Sequence, residues 1–323
     1  MFSSRIVRIE DKTFLWWILS YFFITIAQDS FAIKKKNFPI LRLDHSLGHL
    51  KIADNNRFLA LTDKDGTKLK IIDLSNLLVH EVAQGKIGPS FIWSPRGFRL
   101  IFRELRYNAK NGVKSVLGAY DPKKNEVIIL NSWKGYSGYI SYDPEDAKLQ
   151  ILASSRILSH RILFPSYRDY RQIKVAAKTK WLPTSKGIIQ MDSSGHLLDL
   201  LNDDGSGLQS YSICSNGNNL IWSTKMGNIY WKSQDGPIQL VAKGKDPQWH
   251  PSKNWIVYAA AKSVGHQLID YDLKILDLTS KVSRYLTKTQ YSKERWPSWT
   301  HDSKIIYYTV EKTTDLYRLR VNM

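Results

Sequence analysis

The chain has 323 residues, of which 43% are hydrophobic and 24% charged, with a formal net charge of +18. That balance belongs to a globular protein and excludes an intrinsically disordered one. A single cysteine, Cys214, excludes an internal disulfide framework and any C-x-x-C redox or zinc motif.

The first element is an address. Residues 14–27, FLWWILSYFFITIA, run without a charge behind Arg5, Arg8 and Lys12. A basic segment followed by roughly 7–15 apolar residues is the layout of a secretory signal. Small residues allow cleavage after Ala27 or Ala32. A membrane-spanning helix needs about 20 apolar residues, so an uncleaved anchor is the alternative. Residues 1–32 are therefore expected to be a signal peptide or an N-terminal membrane anchor, and residues 33–323 one exported domain of the periplasm or cell envelope. Membrane association would come only through the first segment. Three basic and three acidic residues (Glu10, Asp11, Asp29) leave with it, so the charge of +18 stays with the domain.

The rest of the chain repeats. An apolar anchor, a tight turn of Pro, Asp, Asn, Ser or Gly, and a β-branched or aromatic strand recur together. The pattern is sharpest at Trp93-Ser94-Pro95-Arg96-Gly97, Trp249-His250-Pro251-Ser252-Lys253 and Trp299-Thr300-His301-Asp302-Ser303. Weaker copies begin at Ile52, Tyr142, Trp181 and Ile213. The seven anchors recur about every 41 residues, the length of a four-stranded propeller blade. Further strands are expected at 70–74 and 79–82, 228–231 and 238–241, 273–278 and 283–286. Trp and Tyr at that period are read as core residues rather than a stacking platform for bases.

The two ends fit together. After the anchor at 299 there is room for strands 305–310 and 315–321, one short of a repeat. Residues 38–44, FPILRLD, are a spare strand before the first anchor. Pairing the two would close the ring and remove an exposed edge. The expected fold is thus all-β: a β-propeller of seven four-stranded blades, closed by an N-terminal strand completing the last one. Six blades are the alternative, because the 181–213 interval lacks a clean fourth strand and residues 154–178 read as irregular.

Trp93-Ser94-Pro95-x-Gly97 and its copies at 249 and 299 resemble the WSPDG repeat of TolB-like, WD-like periplasmic β-propellers. The motif's Asp survives only as Asp302; Arg96 and Ser252 replace it elsewhere. The resemblance covers residues 38–323 as an architecture and implies fold and export. The α/β domain that precedes the TolB propeller has no room before the first anchor, so TolB's own role is not implied.

No motif of catalysis appears. There is no G-x-S-x-G elbow, H-E-x-x-H, P-loop or dinucleotide loop, and no cofactor or metal is expected. His45 and His49 read as turn packing rather than a metal pair, and His250 and His301 as solvated turn histidines. Asp63–Gly66 and Asn202–Gly205 lack the spacing of a calcium loop and read as hairpin turns. The expected role is a non-enzymatic scaffold that binds a protein or an acidic envelope polymer, since a positive field draws anionic partners. No basic arm is present, so nucleic acid is not the expected partner, and a monomer is the expected state. The partner-binding loop is placed in the basic stretch 154–178, at Arg156, Arg161, Tyr167, Arg168, Tyr170 and Arg171. The alternative is a metal-dependent lyase or other enzyme for an anionic saccharide, which some TolB-like propellers resemble; it requires a His/Gln/Arg cluster in the funnel.

Overall fold

A computed structural model of the chain describes residues 38–94, 98–110, 112–137, 140–143, 148–153, 156–161, 179–184, 186–192, 197–201, 204–213, 218–264, 267–290 and 292–321. The N-terminal segment 1–32, with both readings of it, lies outside these residues. Every element described is a β-strand, and all the sheets are antiparallel.

Strand β1 (Pro39–Arg42) precedes a first sheet of β2 (Leu47–Ile52), β3 (Phe58–Asp63), β4 (Lys68–Asp73) and β5 (Leu78–Gln84). A second sheet holds β6 (Phe91–Trp93), β7 (Leu100–Asn108), β8 (Gly112–Asp121) and β9 (Glu126–Lys134). Two sheets of three described strands follow: β10 (Ser141–Asp143), β11 (Lys148–Ala153) and β12 (Arg156–Arg161), then β13 (Thr179–Pro183), β14 (Ile188–Asp192) and β15 (Leu197–Leu201). Next come β16 (Leu208–Ile213), β17 (Asn219–Thr224), β18 (Asn228–Ser233), β19 (Gln239–Trp249), β20 (Trp255–Val264), β21 (Gln267–Asp277) and β22 (Ser283–Tyr285), hydrogen-bonded in that order. The last sheet runs β1-β25-β24-β23, built from β23 (Glu294–Trp299), β24 (Ile305–Val310) and β25 (Asp315–Arg320).

The seven-stranded sheet is two four-stranded units that share β19. Residues 239–243 pair with β18, and residues 244–249 pair with β20. The sequence pattern separated a strand at 238–241 from the anchor at Trp249, but the chain stays extended between them. Gly244 permits this: a Cβ there would stand 2.3 Å from the Ala259 carbonyl oxygen. Asp246, at φ 53, sits in the register shift of the β19–β20 pair, between Lys245 and Gln248.

The repeat sets the core where a strand is covered on both faces. In β3, FLALTD, five of six side chains are buried. Leu59 and Leu61 face the last sheet, packing with Trp296, Tyr307 and Leu316. Phe58 and Ala60 face the second sheet, packing with Phe91, Leu100 and Phe102. A strand buried on both faces reads as a continuous apolar run rather than an alternation, and each large side chain so buried contributes about 1.5–3 kcal/mol.

The anchor turns are held by their own polar residues. Ser94 Oγ accepts from the Arg99 N–H at 2.9 Å, and Asp302 Oδ1 accepts from the Thr300 hydroxyl at 2.7 Å. His250 takes the corresponding place in its repeat, where Nδ1 accepts from the Ser252 and Lys253 N–H groups at 3.1 and 3.0 Å. It is buried between Trp255 and Trp299 rather than solvated. That corrects the expectation for His250; His301 is exposed.

Asp63–Gly66 is the expected hairpin turn, its carboxylate accepting from the Thr67 and Lys68 N–H groups. Of Asn202–Gly205, Asn202 and Asp203 lie outside the described residues, and Asp204 and Gly205 stand between β15 and β16, which belong to different sheets. There Asp204 reaches forward to the Thr224 hydroxyl and to Asn228 Nδ2, and so fastens the next β-hairpin.

Candidate functional site

First strands of neighbouring sheets lie against one another at five steps. Contacts run from β2 to β6, β10 to β13, β16 to β19, β19 to β23, and β23 back to β2. Tryptophan anchors tie them: Trp93 Nε1 donates to the Lys51 carbonyl at 2.8 Å, and Trp249 Nε1 to the Ser212 carbonyl at 3.0 Å. A large aromatic with one polar atom suits such a seam, where its body is dry and its N–H finds backbone.

Four segments distant in sequence converge at this centre. Lys51 Nζ donates to the Phe91 carbonyl at 2.7 Å and stands 5.2 and 5.7 Å from the ring centroids of Phe91 and Tyr211. The Tyr211 hydroxyl donates to the Ile140 carbonyl at 3.0 Å. Burial pulls the Lys51 ammonium down to about 8. It stays charged at neutral pH, and the two aromatic faces stabilise that charge.

Beside it lies a second cluster. Arg295 Nε donates to Asp246 Oδ2 at 2.6 Å, with both side chains almost wholly buried. The same oxygen accepts the Trp296 N–H at 3.3 Å. Trp296 has φ 50 and precedes Pro297. That region costs a bulky residue about 1–3 kcal/mol and persists only where the surroundings impose it. The impositions here are the Asp246 hydrogen bond, the Arg295 guanidinium 4.6 Å from the Trp296 ring, and His49, whose ring meets Trp296 edge-on at 5.8 Å. Burial, then the nearby Lys51 and Arg295 charges, lowers His49 to about 4. His45 is turned elsewhere, to Lys68 and Asp44.

A third set, Asp270, Asp272 and Glu294, is buried and engaged with Thr287, Thr289 and Ser292. Glu294 accepts from the Thr287 hydroxyl and, at 3.2 Å, from the Leu273 N–H; Asp272 accepts from the Thr289 N–H at 2.9 Å. Burial pushes Glu294 up to about 8, so it carries a proton at neutral pH. Among the described residues no group of three or more His, Cys, Asp or Glu is placed to hold a metal ion.

The outermost strands carry large apolar side chains in the open. They include Leu78 on β5, Val127, Ile128 and Ile129 on β9, Leu198 and Leu200 on β15, and Tyr285 on β22.

The stretch singled out from sequence begins as a strand rather than a loop: Arg156 to Arg161 form β12, paired with β11 from Ala153 to Lys148. Tyr167, Arg168, Tyr170 and Arg171 lie outside the described residues. The central residues Lys51, Phe91, Tyr211, Asp246, Arg295 and Trp296 were missed. One local signal could have found two of them: Asp246-Pro247-Gln248-Trp249 and Trp296-Pro297-Ser298-Trp299 share an x-Pro-x-Trp pattern, and in both strands the register shifts at that point.

No family model matches the chain, and no curated protein matches it. Among solved structures, a chain of a mitotic checkpoint complex aligns over 90% of this chain and 94% of its own length. The TM-score is 0.60 at 13% identity. That neighbour is a β-propeller. The chain has a β-propeller-like fold. With 1264 chains of solved structures matching, the fold alone selects no activity.

Proposed function

We propose that the chain is an exported, TolB-like ring of seven blades that binds a protein or an acidic envelope polymer and performs no chemistry itself. The observation that carries the binding role is the open apolar surface on the outer strands of a domain with net charge +18. Apolar contacts supply affinity, and the positive field supplies steering towards acidic partners.

The seven-bladed ring rests on the pairing of β1 with β25 and on the contacts of β2 with β6, β10 with β13, β16 with β19, β19 with β23 and β23 with β2, with β19 counted once for each of its two sheets. The buried polar groups favour a scaffold over an enzyme: Asp246 with Arg295, and Glu294 with Thr287, are engaged in joining strands.

Binding of the full chain to surfaces bearing poly-glutamate, an acidic polysaccharide and a neutral polymer, at low and high salt, tests the reading. Retention on an acidic surface that falls steeply with salt is expected. Equal behaviour on all three surfaces would overturn it.

A further inference from the structure

We propose that the cleft between the first two sheets docks an acidic, extended peptide of a protein partner, with an apolar side chain of that peptide seated on the cleft floor. This deepens the binding reading above and rests on it.

The cleft encloses about 870 Å³ between β5 and the outer half of the second sheet. Its floor is apolar: Val82, Phe102 and Leu105 are all buried. Gly118 shapes that floor, because a Cβ there would fall 2.5 Å from the Phe102 ring. The missing side chain lets the Phe102 ring pack directly against β8 beneath the cleft. Val127 on β9 forms an exposed wall, and β9 is hydrogen-bonded only to β8 among the described strands. An edge strand of this kind can accept an added chain.

The charge around the cleft is one-sided. Arg106, Lys114 and Lys134 are directly opposite one another on three adjacent strands, so they share a face. All three are exposed, and Lys86 lines the cleft beside them. Like charges in such a row repel. Other cross-strand pairs bring opposite signs together, as with Arg42 and Asp315 or Lys70 and Glu81, and Lys148 opposite Arg161 is a like-charged pair of two rather than a row of three. The one carboxylate lining the cleft is Glu104, which is buried and taken up by Arg106 at 2.9 Å. The row spans about 10 Å, the reach of about three residues of extended chain. An acidic polysaccharide would answer the cations but has no apolar side chain for the Val127 wall and the apolar lining below it. An acidic peptide answers both.

The test uses the full chain and two fluorescein-labelled peptides, Glu-Glu-Leu-Glu-Glu-Leu-Glu-Glu and the same sequence with Ser for Leu, read by anisotropy at low salt. Lys114→Glu with Lys134→Glu, and separately Val127→Ser, change exposed side chains and spare the Glu104–Arg106 pair. Each variant is expected to weaken the leucine peptide about tenfold, and the serine peptide to bind the unmodified chain about tenfold more weakly. If the unmodified chain binds the leucine peptide and neither variant changes it, the cleft is wrong and the scaffold reading stands. Displacement of the peptide by polygalacturonate, with no preference for leucine over serine, would also overturn the proposal in favour of a polysaccharide. Absence of binding to any acidic ligand would remove both readings.

Discussion

The Ile52 N–H donates to Ser298 Oγ at 3.1 Å, joining residues 246 positions apart. Nearby, the His301 N–H donates to Asn56 Oδ1 at 2.6 Å, so the first and last repeats are joined through both strand and turn. Ser298 is buried, and removing its hydroxyl strands a backbone donor. Ser298→Ala is expected to lower stability by about 1–3 kcal/mol in chemical denaturation. Ser298→Thr, which keeps the hydroxyl, should lose clearly less.

His250 must stay neutral, because its Nδ1 accepts two backbone N–H groups and burial holds it at about 4. The unfolded chain takes up that proton near pH 6.5, so stability falls as pH drops from about 6.5 to about 4, by at most about 3 kcal/mol. His250→Asp keeps an acceptor for the turn, as Asp302 does in its own repeat. It should flatten this part of the acid limb of a denaturation series. An unchanged limb would show that His250 does not titrate with folding.

Lys51 gives the opposite limb. Its folded value of about 8 lies below the ordinary 10.5, so between those values the unfolded chain holds the extra proton. Stability from this group rises as pH goes from about 8 to about 10.5. The difference between the unmodified chain and Lys51→Met, measured across that range, should shift in favour of the unmodified chain with increasing pH. A pH-independent difference would place the amine in water.

Much of the fold was legible because four-stranded repeats impose a period on the chain, and the Trp anchors at 93, 249 and 299 mark it. Strand β24 was read to the residue, since IIYYTV is bounded by turn residues on both sides. The shared strand β19 was not, because the change of partner between Lys243 and Gly244 needs no break in the strand, only a glycine. The centre was less legible still. Lys51, Phe91 and Tyr211 are brought together by the arrangement of the sheets, and no spacing in the sequence records it. The row Arg106, Lys114 and Lys134 depends on strand register in the same way.

Glu294 is held protonated by burial, up to about 8, against an ordinary value of 4.5. The folded state therefore favours the neutral acid, and stability from this group is full below pH 4.5 and lost as pH rises through about 8. Glu294→Gln keeps a neutral polar group of the same shape. It should be more stable than the unmodified chain near pH 9 and gain nothing near pH 4, as read from thermal unfolding midpoints.

The ring itself is tested most directly by a covalent trap across β1 and β25. Arg42 and Asp315 are directly opposed there, with an ion pair of 2.8 Å that lies at the surface. Opposed residues of antiparallel strands have Cα atoms about 4.5–5.5 Å apart, within the range a disulfide spans. In a Cys214→Ser background, Arg42→Cys with Asp315→Cys is expected to form a disulfide within one molecule under mild oxidation and to raise the unfolding midpoint. Cysteines that stay free, or that link two chains instead, would contradict a ring closed by its own first strand.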